Sequence, residues 1–389
     1  METNDSICDT SKLSFEGDFD QQVQEVLQYV RLTKQEVQKL QILLDDLHKT
    51  FNKHWPGCTV QGFGSIVSGL GMKTSDIDCY VQLPSWVWPP HAPIVMKAKN
   101  ILKRRHWIFQ QLCAITNAKV PIVKFYHSPT KRCCDLNFSS PAGVRNSQLI
   151  SYLIDMDKRM LPMAIIIKYW SKIQNMTGLN LMPNYCLTLM IIFYLQQKNI
   201  LPSIIDLQRS VDEYIVDNWN TAFRKVNHVH NNEETLYQLL GGFFEYYYTF
   251  NYTKYIICPF IGEPVERHSF LKIDTVPKEF SIYKINVEGD SQCKPIRLDT
   301  AMCVQDPFEH NRNCAVAVHP KLAQKMMSQF CRGADIYRCY NEVNFLKTLL
   351  IRTDNYPGIK AKKKTAVHNG IKKQYKINQS LRSNVKYIT

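Results

Sequence analysis

Residues 62–81 read GFGSIVSGLGMKTSDIDCYV, and this stretch decides the fold. The alternating pattern at 59–63 predicts a short strand that ends at Gly64-Ser65. Asp76 and Asp78 then stand at the acidic start of a second, apolar strand predicted over 77–83. Because side chains two positions apart on a strand point to the same face, the two carboxylates share one side of the sheet.

A third carboxylate lies in a later apolar strand. Asp135 is flanked by Leu136 and Phe138 in a strand predicted over 132–138, after another predicted over 120–126. Carboxylates that share a face repel and lose solvation unless a cation lies between them, and a hard divalent ion with oxygen ligands is the simplest compensation. Placed beside the second strand, Asp135 completes a cluster that can hold two metal ions about 3.5–4 Å apart for phosphoryl transfer.

The turn that follows the first strand fits the same chemistry. Gly64 lets the backbone approach a ligand closely, and the hydroxyl and backbone N–H of Ser65 can bond phosphate oxygens. An Asp-x-Asp pair alone is common in surface turns. The Gly-Ser turn eleven residues before Asp76, together with the isolated Asp135, favours the catalytic interpretation.

The remaining pattern divides the chain into an α/β part and a helical part. We predict helices over 19–51 and 94–113 and a loop over 84–93, and no strand after Gly143. Further helices are predicted over 147–174, 184–199, 203–219 and 233–251. The outline is a disordered N-terminus at 1–18, an α/β unit at 52–146, a helical unit at 19–51 and 147–350, and a basic tail at 351–389.

Charge, cysteines and hydropathy narrow the class of protein. The net charge of +14 suits a polyanionic partner, and residues 360–389 hold nine Lys or Arg and no Asp or Glu. That tail either holds RNA or is a solvated end. No apolar run approaches the roughly 18 residues of a membrane span. The thirteen scattered cysteines and the acidic first twenty residues favour a cytoplasmic protein without a signal or transit peptide, although 360–364 can also act as a nuclear signal.

These motifs resemble the DNA polymerase β nucleotidyltransferase superfamily, and more closely its noncanonical poly(A) polymerases and terminal uridylyltransferases, over roughly residues 20–350. Two further stretches carry the resemblance: LLGGFFEYY at 239–247 is similar to the poly(A)-polymerase-associated segment, and VQDPFE at 304–309 to the nucleotide-recognition motif. The resemblance implies an α+β fold. A polymerase-β-like nucleotidyltransferase domain, with a mixed sheet and helices, would face a mainly helical central domain across a cleft that holds the active site.

The resemblance also implies a role for individual residues. Asp76, Asp78 and Asp135 match the catalytic, metal-binding carboxylates, and Asp135 also matches the group that helps to deprotonate the attacking 3′-hydroxyl. Asn146 matches a ribose 2′-hydroxyl contact. The residues that stand at the remaining nucleotide-binding positions are Gly64, Ser65, Lys168, Lys172, Asn184, Tyr185, Asp306 and Arg312. Lys168 and Lys172 are four apart, so one helix face presents both to phosphates, but a lysine after the apolar run 163–167 can also belong to a core helix.

Two positions depart from the family pattern. Asn184 stands where the family usually has a phosphate-binding Ser, and Arg312 stands where uridylyl-adding relatives commonly have a His that selects uracil. Arg312 is an obligate donor that suits a uracil carbonyl better than the amino group of adenine. We therefore favour UTP over ATP.

The sequence thus predicts a template-independent RNA 3′-terminal nucleotidyltransferase that uses two Mg²⁺ ions, with Mn²⁺ as a substitute, to add UMP to single-stranded RNA. A cytoplasmic poly(A) polymerase, a 2′–5′ or cyclic-nucleotide synthase, and an inactive RNA-binding scaffold are the alternatives. Lys97, Lys99, Lys103, Arg104 and Arg105 line the RNA path or form a solvated helix face. Without a known RNA-binding module, RNA selection falls to the cleft, the basic tail or a protein adaptor.

Overall fold

The computed structural model of the chain describes residues 7–87, 92–118 and 120–353. Its strands are β1 (Thr59–Phe63), β2 (Ile77–Gln82), β3 (Phe109–Ile115), β4 (Ile122–His127), β5 (Arg132–Asn137), β6 (Ile215–Val216), β7 (Trp219–Asn220), β8 (Tyr255–Ile256) and β9 (Val265–Glu266). Its α-helices are α1 (Phe19–Val30), α2 (Lys34–Lys39), α3 (Gln41–Asn52), α4 (Gly64–Val67), α5 (Ala92–Lys103), α6 (Ala142–Met156), α7 (Met160–Ile173), α8 (Asn184–Gln197), α9 (Ile204–Gln208), α10 (Leu236–Thr249), α11 (Ser281–Gly289), α12 (Pro320–Cys339) and α13 (Glu342–Leu349).

The first five strands form one mixed sheet in the order β1-β2-β5-β4-β3. The central pair β2–β5 is parallel, and the other neighbours are antiparallel. Since parallel strands need a long crossover, the chain passes through α5, β3 and β4 before β5 returns beside β2. This crossover brings Asp135 next to a strand that lies more than fifty residues earlier.

One face of the sheet is apolar and buried. Alternate residues of β2, namely Ile77, Cys79 and Val81, lie in a core with Val123 and Leu136 of the neighbouring strands. Helices α3 and α5 supply the rest of this core, through residues such as Leu47, Phe51 and Leu102. Because strand side chains alternate, the residues between these positions lie on the other face, which we call the polar face.

A second core forms in the helical part. Met163–Ile167 in α7 and Leu187–Leu195 in α8 are buried almost throughout, as expected for helices that are apolar on every side. Helices α10 and α12 approach each other at two glycines: a Cβ at Gly241 would collide with the ring of Tyr337, and a Cβ at Gly333 with that of Phe244. The LGG part of the 239–247 motif therefore serves helix packing.

The N-terminal helices divide between the two cores. Helix α1 begins at a capping box in which Asp18 and Gln21 bond each other's backbone N–H groups at 2.9 Å, and it packs into the helical core. Leu40, Leu43 and Leu47 pack instead against the sheet, so the predicted range 19–51 is not one helical unit. The segment 7–18 is predicted to be disordered, but in the structure it packs against the helical core. Ile7 and Leu13 are buried, and the Tyr169 hydroxyl donates to the Ile7 carbonyl at 2.8 Å.

Two predicted helices end early. The helix predicted over 94–113 stops at Lys103, and β3 begins at Phe109, where a β-bulge between Gln110 and Cys113 breaks the strand alternation. The helix predicted over 203–219 keeps only Ile204–Gln208, and the two-stranded β6–β7 sheet follows it. Asp217 and Asn218 take positive φ at the turn between these two strands, as Asp and Asn do more readily than other residues.

No helix in the described ranges is long and apolar enough to cross a membrane. Residues up to Leu350 form one unit, and the basic tail predicted at 351–389 lies outside the described residues from position 354 onward.

Candidate active site

The three predicted carboxylates meet on the polar face of the sheet. In the strand register Asp78 lies directly opposite Phe63 on one side and Asp135 on the other, and Asp76 precedes the same strand by one residue. Asp78 and Asp135 are half-buried, and Asp76 is exposed. The parallel pairing of β2 and β5 therefore creates the cluster that the sequence pattern predicted.

The cluster carries more negative charge than its surroundings offset. Burial and the neighbouring Asp135 and Asp76 raise the pKa of the Asp78 carboxyl to about 7. Although the Asp76 residue as a whole is exposed, desolvation of its carboxyl group and the charge of Asp135 raise its pKa, against the opposing effect of Lys124, Lys172 and Arg132. A cation placed among these oxygens would relieve the repulsion.

Lys124 is a cation already in contact with the cluster. It lies opposite Asp135 across β4–β5, and its Nζ donates to Oδ1 at 2.8 Å and to Oδ2 at 2.7 Å. Among the residues that the structure describes, no three His, Cys, Asp or Glu side chains are arranged closely enough to hold a metal ion as they lie. The donor set nevertheless fits a divalent cation, because it consists of carboxylate oxygens, which such cations prefer as ligands. One pair of these oxygens, on Asp135, already binds a positively charged group, the Lys124 ammonium.

The turn before the cluster is shaped by Gly64, which has a φ of +80°. A Cβ at this position would collide with Oδ2 of Asp78, so only glycine fits. The Gly64 N–H donates to the Ser147 hydroxyl at 2.7 Å, and that hydroxyl donates to the Gly143 carbonyl at 2.7 Å. The turn is thereby tied to α6, and Ser65 lies half-buried in the first turn of α4.

The two lysines of α7 hold the segment between the Gly-Ser turn and β2. Lys168 is 3% exposed, and its Nζ donates to the Leu70 carbonyl at 2.6 Å. Burial lowers the pKa of this amine to about 8. Lys172 donates to the Thr74 hydroxyl and interacts electrostatically with Asp76. The structure therefore brings Lys172 to the edge of the cluster, whereas Lys168 is a buried tether, in line with the core alternative.

The residues expected to contact the base form a second group, on α8 and the 304–312 loop. The Tyr185 hydroxyl donates to Asp306 Oδ2 at 3.1 Å, and the fully buried Asp306 also accepts from the N–H groups of Phe308 and Glu309 through Oδ1. Arg312 Nη1 lies 3.6 Å from both Asp306 and Glu309, and its guanidinium lies 5.8 Å from the centroid of the Tyr185 ring. The structure thus brings together Tyr185, Asp306 and Arg312, and adds Glu309, which was not predicted.

Asn146, Asn184 and His310 differ in their exposure to solvent. Asn146 Oδ1 is buried without a hydrogen-bond partner among the described residues, which is the state of an acceptor that a ligand hydroxyl can satisfy. Asn184 is exposed at the first residue of α8. His310, two residues before Arg312, packs in the core against Phe260 at 4.1 Å between ring centroids, and burial lowers its pKa to about 3. Of His310 and Arg312, only Arg312 therefore has a side chain that a ligand can reach.

The predicted RNA contacts on and after α5 are not brought to the carboxylates. Helix α5 packs on the apolar face of the sheet, where Lys97, Lys103 and Arg104 are exposed. Arg104 bonds His54 at 3.1 Å, and Arg105 donates to Thr50 at 2.7 Å, which ties both to the region of α3. A role for these residues in RNA binding stays a prediction, and it would require RNA to pass behind the sheet.

Two family models match parts of this chain. Residues 19–155 match the family model described as the central palm domain of mitochondrial-like poly(A) RNA polymerase, and residues 235–312 match the Cid1 family poly A polymerase model. The chain is 24% identical over 391 residues to the speckle targeted PIP5K1A-regulated poly(A) polymerase of Danio rerio, covering 87% of this chain and 48% of that protein. It is 27% identical over 237 residues to the terminal uridylyltransferase cid1 of Schizosaccharomyces pombe, covering 57% of each. The chain thus spans about half the length of these relatives.

Solved structures agree in fold. A crystal structure of mtPAP in complex with UTP superposes with a TM-score of 0.73 at 19% identity, covering 90% of this chain and 75% of that one. A Cid1 poly(U) polymerase structure with MgATP gives a TM-score of 0.71 at 21% identity, covering 86% of this chain and 99% of that one. The fold is that of a polymerase-β-like nucleotidyltransferase with a helical central domain.

Proposed function

Because this chain belongs to the noncanonical poly(A) polymerase and terminal uridylyltransferase family of the DNA polymerase β nucleotidyltransferase superfamily, we propose that it extends RNA 3′ ends without a template. The preferred nucleotide in this proposal is UTP. The observation that carries it is the row of facing carboxylates, Asp78 opposite Asp135 with Asp76 alongside, on the polar face of the sheet.

In this proposal Asp76, Asp78 and Asp135 hold two divalent ions, Mg²⁺ or Mn²⁺. Such ions stabilise charge on the attacking and leaving oxygens of an in-line displacement. The RNA 3′ oxygen bonds to the α-phosphorus, the bond from that phosphorus to the bridging oxygen breaks, and pyrophosphate leaves. Asp135 takes the proton of the 3′-hydroxyl.

The surrounding residues orient the nucleotide. The unpartnered Asn146 Oδ1 accepts the ribose 2′-hydroxyl, which favours ribonucleotides. Tyr185 is fixed by its bond to Asp306 and offers a ring face to the base. Ser65, which follows Gly64 in the turn, and Lys172, which interacts with Asp76, contact the triphosphate, and the exposed Asn184 adds an amide donor.

Choice of base rests on Arg312. Its side chain is 45% exposed, and its guanidinium is held beside Tyr185 by two carboxylates, so a base stacked on that ring meets a donor. Uracil O4 accepts from the guanidinium, while uracil N3–H faces Glu309. Asp306 is fully engaged by Tyr185 and by backbone N–H groups and therefore acts through the position of Tyr185 and Arg312.

One observation favours the alternative, a poly(A) polymerase. Glu309 lies within 3.6 Å of Arg312 and is an acceptor, so the pair can also bind the amino group and N1 of adenine. Arg312 and Glu309 together therefore discriminate less sharply than Arg312 alone.

The testing experiment offers the purified chain a labelled single-stranded RNA, Mg²⁺ or Mn²⁺, and each NTP separately. Extension with UTP above ATP supports uridylyl transfer, and the reverse order makes the protein a poly(A) polymerase. A 2′–5′ linkage or a product formed without RNA would instead indicate the nucleotide-synthase alternative. If no NTP is used and Asp76→Ala leaves every effect on RNA unchanged, the protein is a scaffold.

The partners and the location belong to the same proposal. The substrates are single-stranded RNA 3′ ends and a nucleoside triphosphate, with RNA selected by the cleft, the basic tail or an adaptor protein. We place the protein in the cytoplasm, with the nucleus as the second compartment, because all thirteen cysteines are free thiols, as a reducing environment would keep them.

A further inference from the structure

Lys124 places a positive charge directly on the third carboxylate. Its Nζ lies 2.8 and 2.7 Å from the two oxygens of Asp135 and therefore engages both of them. Val123 and Phe125, on either side of Lys124, are buried in the apolar core. Because these neighbours fix the strand, the Lys124 side chain must project from the polar face, where the carboxylates lie.

The other nearby cations each bind a group outside the Asp78–Asp135 pair, although Lys172 also interacts electrostatically with Asp76. Lys172 donates to Thr74, Lys168 to the Leu70 carbonyl, and Arg132 to the Lys73 carbonyl while lying 3.9 Å from Glu36. Lys124 instead makes a direct ion pair inside the cluster, and it also feels the charges of Asp76 and Asp78. It therefore occupies the electrostatic position that a metal ion would take.

We propose that Lys124 is the resident counter-ion of Asp135 and that a divalent metal ion displaces the Lys124 ammonium group when the metal binds. The inference rests on the proposed function, since it assumes that the carboxylates hold metal. A dication bound to Asp135 would lie close to the ammonium group, and two positive charges repel strongly at such a distance. At least one of the two Lys124 contacts must therefore break on metal binding.

The proposed exchange predicts that the Lys124–Asp135 ion pair lowers the affinity of the chain for a divalent metal ion. The side chain of Lys124 is 44% exposed, so its ion pair is a modest one and can be broken at small cost. In the metal-free chain the pair offsets carboxylate repulsion, and it lowers the affinity for metal by the same interaction. The released ammonium stays on the polar face, where a substrate phosphate would replace Asp135 as its partner.

The experiment measures Mn²⁺ binding to the full chain without nucleotide or RNA, by the electron paramagnetic resonance signal of free Mn²⁺. Lys124→Met should bind Mn²⁺ roughly two- to tenfold more tightly than the native chain, as expected for loss of a modest competing ion pair. Lys124→Arg, which keeps the charge, should stay near the native affinity. Lys131→Met is the matched control, because Lys131 is exposed in the turn between the same two strands.

If Lys124→Met binds Mn²⁺ with unchanged or lower affinity, the exchange is overturned. It is also overturned if Lys131→Met gains as much affinity for Mn²⁺ as Lys124→Met, because the gain would then come from the long-range loss of a positive charge. If Lys124→Met folds only with Mn²⁺ present, the exchange is supported, since the metal then supplies the missing positive charge. A native chain that binds no Mn²⁺ at millimolar concentration would overturn the metal chemistry of the proposed function itself, which is a different result from equal affinities.

Discussion

The two faces of the five-stranded sheet are built from the same strands and have opposite properties. On the apolar face, Cys79, Val123 and Leu136 are fully buried against α3 and α5. On the polar face, one position away along each strand, lie Asp78, Lys124 and Asp135. The difference shows how a two-residue period lets one strand contribute stability on one side and chemistry on the other.

The two faces also differ in what they do to the folding free energy. Each buried aliphatic side chain on the apolar face stabilises the fold by roughly 1.5–3 kcal/mol. On the polar face the pKa of Asp78 is raised to about 7, which means that the charged form of this carboxylate destabilises the folded state. Substitutions on the polar face should therefore change activity and those on the apolar face stability.

The largest expected effect is on the polar face. Asp78→Ala should lower nucleotide incorporation by at least about a thousandfold, because it removes a proposed metal ligand at the reacting phosphate. Incorporation into labelled RNA measures this, and circular dichroism should show an intact fold. Asp45→Ala, on the exposed side of α3, is the control and should keep full activity. Turnover near the native rate in Asp78→Ala would remove Asp78 from the metal site.

On the apolar face, Leu136→Ala should lower the free energy of unfolding by about 3 kcal/mol, since it leaves a cavity beside Cys79 and Val123. Urea denaturation measures the loss. Leu179→Ala, at a side chain that is 90% exposed, should change stability by less than about 0.5 kcal/mol. Activity per folded molecule should stay within a few-fold of native; a much larger drop would mean that the faces are not separable.

A smaller effect concerns pH. The Asp78 carboxyl has a pKa of about 7 when folded and an ordinary value of 3.8 when unfolded, so between these pH values the folded state binds more protons. Metal-free stability should therefore fall as pH rises through this window. Asp78→Asn should remove that part of the fall and be more stable by about 2 kcal/mol at pH 8.

Urea unfolding with a chelator at pH 5 and pH 8 makes the comparison, and Asp45→Asn serves as the charge-matched control. Equal pH dependence in the native chain and in Asp78→Asn would contradict the assigned cost of the Asp78 charge.

The smallest effect lies outside the sheet. Arg312→His should raise the ratio of UTP to ATP incorporation by roughly two- to tenfold, a change of about one hydrogen bond to the base. The ratio should rise because the substitution ends the Arg312–Glu309 pair, which can also bind adenine, and introduces the His that uridylyl-adding relatives commonly have at this position. Competition between the two labelled nucleotides measures this ratio, and Arg297→His, an exposed arginine paired with Asp299, is the control. If the ratio does not move, Arg312 is not a selector, and the contrast between the faces is untouched.

Sequence reasoning identified the elements whose signal is local. The apolar alternation in β2 and β5 and the isolated Asp135 are visible in the sequence without any knowledge of contacts. Strand β3 was missed because its bulge interrupts the alternation, and Gln111 there has a positive φ of 51°. The helix predicted over 203–219 is too long, since the structure has only the five helical residues Ile204–Gln208 there.

Contacts between distant residues account for the other differences. Lys168 has the spacing of a phosphate ligand, but its partner Leu70 lies 98 residues earlier, in a loop that no local pattern connects to α7. Lys124 was missed for a similar reason, because its pairing with Asp135 depends on the β4–β5 register. The one available signal was a lone charge between apolar neighbours in the predicted strand.

Gly64 has a further consequence for how this protein tolerates variation. Any side chain at that position would collide with Asp78 Oδ2, and the backbone there has a φ of +80°. A saturation mutagenesis screen scored on RNA extension should therefore rank Gly64 with the three carboxylates, although it has no functional group. Reversion in such a screen would come from changes at position 64 itself, because a neighbour that yields space would have to move Asp78.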